Sequence, residues 1–310
     1  MKVRLSLFSA IELEGHLLVT GPTGSGKTNT VKVILEEISS KLPVLVLDYH
    51  GEYNLGRVLT PGINLRFSMF SDNSDPEFIV DVLGTLFQLT EPQWYIILRS
   101  VRKLGPGITL KKLVEAVEEE PANDWRTYEI KQAVLRRLAI LSEGLLGEVL
   151  NGVESPEFLF EEVVTVNLSV LPPRYRSFLA LIIMKHLYDH ACRRGESKRI
   201  VHVTVLEEAW NVLLPRARWE PPSVGERLFL ELRKFGELVI AVSQRVDDIS
   251  ERSTRNCAAI IMHQPSEIEL ERLGCRVDQG RLGKLQRRGT ALVVKTGCSL
   301  REVRVRKAKS

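Results

Sequence analysis

The sequence predicts an α/β fold with a mainly parallel sheet and an all-helical segment inserted into it. Three observations predict it. Short apolar, β-branched-rich runs alternate with helical patterns, as strands joined by crossover helices do. One of those runs passes through a glycine-rich turn directly into a helix start. Between the second and third core runs, the strand signal gives way to a long stretch of helical periodicity.

Taken in order, His16 to Thr20 is a short apolar strand, and a helical pattern runs from Thr28 to about Ser40. Leu42 to Asp48 is a second strand, so the first three elements read as a βαβ unit with a right-handed crossover. From Pro76 to Leu150 the pattern is helical and broken at Pro106-Gly107 and Pro121; Ile96, Ile97, Val101 and Leu104 share one helix face. The sheet resumes with a strand at Val163 to Leu168, a helix over 175–194 and a strand at Ile200 to Leu206. A helix over 224–236 leads to the strand Leu238 to Val242. Cys257 to Met262 is a further strand, and Thr290 to Lys295 and Leu300 to Arg306 form a hairpin turning at Gly297. The expected organisation is a first core segment over 1–75, a helical subdomain over 76–155, and the rest of the core over 156–310, ending in that hairpin and a basic tail.

Composition narrows the class. Hydrophobic residues are 44% and charged residues 26%, which argues against disorder, collagen-like repeats and rods. No apolar run approaches the roughly 20 residues that span a bilayer, and Glu12 and Glu14 interrupt any leader-like start, so an intracellular location is expected. Cys192, Cys257, Cys275 and Cys298 show no CxxC spacing and are expected to be buried or free thiols. A net charge of +4 permits a polyanionic partner without requiring one. Scarce Asn and Gln beside abundant Arg and Glu lean towards a thermophile.

Gly21-Pro22-Thr23-Gly24-Ser25-Gly26-Lys27-Thr28 fits GxxxxGK[ST] and stands between an apolar strand and a helix start, as that motif must. The glycines let backbone N–H groups turn inward onto phosphate oxygens at the positive end of the helix. Lys27 then neutralises the β- and γ-phosphates and Thr28 places its hydroxyl on Mg²⁺, so ATP and Mg²⁺ are the expected ligands, with contacts from Gly21 through Asn29. A P-loop needs an acidic element at the end of another buried strand. Glu207 and Glu208, closing the run Val201 to Leu206, supply it: Glu207 for the Mg²⁺ shell through a water, Glu208 to orient or deprotonate the attacking water. Gln244, where the strand ending at Val242 stops, is placed to sense the γ-phosphate. Arg233, just before a glycine, fits either a helix C-cap or a catalytic arginine.

Together the P-loop, Asp48-Tyr49-His50-Gly51-Glu52-Tyr53, Glu207-Glu208-Ala209, Arg233-Lys234 and Ser243-Gln244-Arg245 resemble the HerA-like branch of the HerA/FtsK superfamily of hexameric DNA-translocating ATPases. The resemblance covers nearly the whole chain. It implies a RecA-like core with an inserted helical bundle, a homohexameric ring with ATP at subunit interfaces, and DNA as partner. Lys27 and Thr28 would then bind nucleotide and Mg²⁺, Glu208 would be the catalytic carboxylate, Gln244 the sensor and Arg233 a finger for the neighbour's site, with Asp48 and Glu52 near the active edge. The sequence departs from the pattern at Glu207, usually aspartate, at Trp210, usually histidine, and at Tyr49, usually proline. About fourteen residues precede the first predicted strand, so the β-barrel through which full-length HerA helicases dock a nuclease is not expected.

The expected function is an ATP-driven DNA translocase or helicase in the cytoplasm, with a nuclease or membrane-channel protein as accessory partner. Its rivals are a membrane-docked ATPase of a conjugation or DNA-import system and a nucleotide-gated scaffold with weak hydrolysis. DNA contact is expected on the proline-rich loop from Leu214 to Pro222, through Arg216, Arg218 and Trp219. His186 and His190 lack a third ligand and the glutamate of a zinc motif, so no metal is expected there. Arg136-Arg137, Arg193-Arg194 and Arg287-Arg288 are read as solvated helix faces. The alternating Arg301 to Lys309 segment is read as a charge-protected edge strand or an arm reaching an adjacent subunit.

Overall fold

The computed structural model describes residues 1–70, 75–105, 108–152, 155–215, 219–295 and 298–309. Its elements begin with β1 (Lys2–Ser6), β2 (Ser9–Glu12), β3 (Leu17–Thr20), α1 (Lys27–Ile38), β4 (Val44–Asp48) and β5 (Arg57–Leu59). Next come α2 (Pro76–Phe87), α3 (Glu91–Leu104), α4 (Leu110–Glu118), α5 (Trp125–Ser142), α6 (Gly144–Leu150) and α7 (Phe158–Glu161). The chain continues with β6 (Val163–Asn167), α8 (Pro173–Arg194), β7 (His202–Leu206), α9 (Val224–Leu232), β8 (Glu237–Ser243), α10 (Glu251–Asn256) and β9 (Ala259–Met262). It closes with α11 (Glu267–Arg272), α12 (Gln279–Leu285), β10 (Thr290–Lys295) and β11 (Ser299–Arg304).

Nine strands form one sheet in the order β11-β10-β9-β3-β8-β7-β4-β6-β5. β9, β3, β8, β7 and β4 pair in parallel, and β10 and β11 continue the sheet antiparallel. Every residue of β3, β4, β7, β8 and β9 is buried, the pattern of parallel strands covered on both faces. Register decides what meets at the edge. Thr20 pairs with Ser243, Leu206 with Ala241 and Leu47 with Leu206, so β3, β8, β7 and β4 all end at the same carboxyl edge.

Two compact units divide the chain. The first, Met1–Val58, Phe158–Val166 and His190–Ser310, contains the sheet and α1; its core gathers Val19, Ile34, Val46, Val205 and Ile240. The second, Leu59–Glu157 and Asn167–Asp189, holds α2 to α6 and most of α8, so it takes in more chain than the 76–155 expected for the helical subdomain. Its helices begin where the sequence supplies caps: Asp75, Thr109 and Asp124 accept from Glu77 N, Lys112 N and Thr127 N.

The residues before β3 form a hairpin that the sequence did not announce: Val3 pairs with Ile11 antiparallel, and Val3, Leu5 and Ile11 are buried in the core. Two expectations need correction. Cys275 and Cys298 are joined in a disulfide, their Cα atoms 5.5 Å apart, because folding closes 23 residues of separation. Only Cys192 and Cys257 are free thiols. The basic segment after β11 is no free arm. Arg306 N donates to Leu5 O, and Arg306 Nη1 lies 2.5 Å from Glu36 Oε2 on α1. β11 itself is the sheet's edge strand, and the expected turn at Gly297 lies outside the described residues.

Candidate nucleotide site

β3 delivers the chain at Thr20 into a loop whose glycines adopt left-handed backbone: φ is 145° at Gly21, 76° at Gly24 and 113° at Gly26. The reason at Gly21 is close approach. A Cβ there would stand 2.5 Å from the carbonyl oxygen of His263, which follows β9. Gly21 N also donates to Gln244 O at 3.0 Å, so the loop is fastened to the ends of both flanking strands. Gly26 is the N-cap of α1 and no side chain caps that end; the first turn carries no acidic residue either. The first N–H groups of a 12-residue helix are therefore left for an anion.

Lys27 Nζ donates to Gly21 O at 2.7 Å and Pro22 O at 3.1 Å, which folds the side chain back over the loop. Burial lowers its pKa, while Glu208, Glu207 and Glu52 oppose that shift through their charge. Arg288 Nη2 would lie 3.6 Å from a Cβ on Gly24, which places a cation beside the tip of the loop rather than on a remote helix face. The Asn29 amide is engaged by the C-terminal tail: Nδ2 donates to Arg306 O at 2.8 Å, and Oδ1 accepts from Ala308 N at 2.9 Å.

Asp48 ends β4 and organises the loop that follows. One oxygen accepts from His50 N (3.0 Å) and Gly51 N (2.8 Å), the other from Tyr53 N (2.9 Å). It is thus a loop-building acid, whereas Glu52 is exposed and acts on Lys27 only through its field. The loop then reaches β7. Tyr53 Oη donates to Glu207 Oε1 at 2.6 Å, and His50 Nε2 lies 3.0 Å from Glu208 Oε1. Glu207 is 3% exposed, and burial raises its pKa to about 7 despite the Tyr53 hydrogen bond; Asp48 and Glu52 push the same way. Glu208 has φ 45°, and Trp210 Nε1 donates to its Oε2 at 2.5 Å. The sequence reading missed His50, Tyr53 and Trp210 as site residues. The only available signal was their proximity to acids in the same motifs.

Gln244 lies exposed at the end of β8, at the same edge. Arg233 lies at the other end of that strand, in the turn before Glu237, where its Nε would be 3.0 Å from a Cβ on Gly15. Trp219 is 87% exposed, and Arg216 and Arg218 lie outside the described residues.

A glycine loop leading into α1, a second strand ending in acids, and a parallel sheet that brings both to one edge define a RecA-like P-loop ATPase fold. Solved structures share it. VirB4 of Thermoanaerobacter pseudethanolicus superposes with a TM-score of 0.71 at 15% identity, covering 95% of this chain and 90% of that one. The bacterial conjugative coupling protein TrwB gives 0.63 at 12%, covering 95% and 87%, and another structure of it contains ADP and Mg²⁺. A profile of the family described as "Helicase HerA, central domain" matches residues 2–187. The chain belongs to this family. It is 27% identical over 289 residues to the DNA double-strand break repair helicase HerA of Sulfolobus acidocaldarius, covering 81% of this chain and 54% of that protein. The chain therefore spans about half the length of that curated relative.

Proposed function

We propose that this chain is an ATP-hydrolysing motor that moves DNA through the channel of a homohexameric ring. One observation carries the reading: β3 and β7 bring Lys27 and the pair Glu207-Glu208 to one sheet edge, where the ammonium lies in the field of both carboxylates. The uncapped N-terminus of α1 and the buried Ser25 hydroxyl, unpartnered among the described residues, suit a phosphate chain. Mg²⁺ bound with the nucleotide would neutralise phosphate charge. Thr28 and Glu207 are the residues to hold it, and a buried carboxylate with its pKa near 7 ionises readily beside a cation. Lys27 balances phosphate charge in ground and transition states alike, whereas Glu208 orients the attacking water and takes its proton. Gln244 senses the γ-phosphate from the edge of β8. Arg233 serves the neighbouring subunit's site.

DNA as substrate rests on the name of the curated relative and on the loop around Trp219, exposed and preceded in sequence by Arg216 and Arg218. A nuclease or channel protein is the accessory partner this reading implies. Among the described residues no helix is long and apolar enough to cross a membrane. The test is steady-state ATPase with and without duplex DNA, together with nucleotide retention. Wild type should be stimulated by DNA, Lys27→Ala should neither retain nor hydrolyse ATP, and Glu208→Gln should retain ATP without hydrolysing it. ATP binding with no DNA-stimulated turnover would favour a nucleotide-gated scaffold instead.

A further inference from the structure

Both acids at the end of β7 are received by one loop, Asp48 to Tyr53, although 154 and 158 residues separate the partners. Asp48 stiffens that loop by accepting three backbone N–H groups, so the side chains of His50 and Tyr53 leave a fixed platform. Tyr53 takes Glu207. His50 takes one oxygen of Glu208, and Trp210, two residues on, takes the other. A carboxylate is an acceptor only, so the imidazole Nε2 and the indole N–H both donate.

The backbone beneath is equally constrained. Glu208 sits at φ 45°, ψ 45°, in the left-handed region that a non-glycine residue adopts only under strain. Asn211 holds it there, its backbone N and its Nδ2 donating to Glu208 O at 2.9 and 3.1 Å. This bend turns Glu208 away from the direction of Glu207, which is buried against Tyr53. A glutamate side chain on such a bend has several rotamers, and few of them point at a water beside a phosphate. Two donors, one per oxygen, select one orientation and leave a lone pair on each oxygen for that water.

We propose that His50 and Trp210 are positioning residues that clamp the Glu208 carboxylate in the orientation it uses towards the attacking water. The clamp rests on the reading of Glu208 as the catalytic carboxylate. It also accounts for Trp210: an indole N–H does at this position what an imidazole N–H could do, so a histidine there is a working substitute.

The experiment compares His50→Ala, Trp210→Phe and Trp210→His with wild type in steady-state ATPase, and follows the indole N–H resonances of ¹⁵N-tryptophan-labelled protein without nucleotide. The Trp210 signal is assigned by its loss in Trp210→Phe. Removing one charge-assisted donor should lower kcat about 10-fold to 100-fold with KM for ATP unchanged, because the P-loop is untouched. Trp210→His should recover most of the loss, which a purely packing role for the ring would not allow. The Trp210 resonance should move upfield in Glu208→Gln and also shift in His50→Ala, which reaches the indole only through the carboxylate. Wild-type binding of a fluorescent ATP analogue establishes that each variant is folded, and if Trp210→Phe fails to fold, Trp210→His and His50→Ala carry the test. The clamp is overturned if both alanine and phenylalanine variants keep wild-type kcat, or if the resonance ignores Glu208→Gln. Wild-type turnover by Glu208→Gln would instead sink the assignment of the catalytic carboxylate.

Discussion

At Gly21 two constraints coincide, and only one of them was legible in the motif. The glycine spacing reads as a loop that must wrap phosphate, but the tightest constraint is the His263 carbonyl 2.5 Å from where a Cβ would sit. That neighbour lies 242 positions on in the chain and arrives only when β9 pairs with β3. Gly24 has left-handed backbone too, yet the nearest atom to its Cβ position is the flexible end of Arg288 at 3.6 Å. The two glycines should therefore respond differently to alanine. Gly21→Ala adds backbone strain to a clash with main chain and should cost about 2–4 kcal/mol in denaturant unfolding, with loss of ATP binding. Gly24→Ala should cost about 1 kcal/mol, and equal losses for the two would contradict the close approach at His263. The same limit hid His50, Tyr53 and Trp210: sequence shows which residues carry chemistry, whereas their hydrogen-bond partners depend on strand order.

Strand length and direction decide what Arg233 can do. β8 has seven residues, ~20 Å of extended chain, with Gln244 just beyond its carboxyl end and Arg233 just before its amino end. The arginine is thus remote from the P-loop of its own chain, and the capping explanation weighed from the sequence accounts only for its position after α9. If it is the finger proposed above, it must act across a head-to-tail interface. Arg233→Ala should bind ATP normally and hydrolyse it about 10³-fold or more slowly. Mixed with Lys27→Ala, it should regain part of the activity, since some interfaces then combine an intact P-loop with an intact arginine. No recovery under demonstrated subunit exchange would leave Arg233 a structural residue. The central elements around β8 were legible because each is an apolar run with a turn on either side. The hairpin β1–β2 and the three-residue β5 were not, because strands so short carry little periodicity and depend on what they pair with.

Across the whole molecule the buried titratable groups set how stability responds to acid. His16 is fully buried; its Nδ1 accepts from Val239 N and its Nε2 donates to Phe229 O, which fixes the neutral tautomer. Burial lowers its pKa to about 4, and burial does the same to His186 in the helical unit and, with help from Lys27, to His263 beneath the P-loop. Each is neutral when folded and takes up a proton on unfolding anywhere between its folded value and the ordinary 6.5, so its stabilisation is complete above pH 6.5 and is lost as pH falls. Glu207 has the opposite sign. Raised to about 7, it holds a proton in the folded state that the unfolded chain releases above the ordinary 4.5. Three protons taken up less one released leave a net uptake of about two near pH 5.5, equivalent to about 3 kcal/mol of stability per pH unit. Unfolding free energy should therefore climb steeply from pH 5 to 6.5 and level off above pH 7. His263→Gln should lower the slope by one proton, and Glu207→Gln should raise it by one. Denaturant midpoints measured across this range at constant ionic strength check the sign directly. A profile that is flat or rises on acidification would mean that these histidines are solvated or charged in the fold, and the packing of His263 under the phosphate loop would have to be abandoned with it.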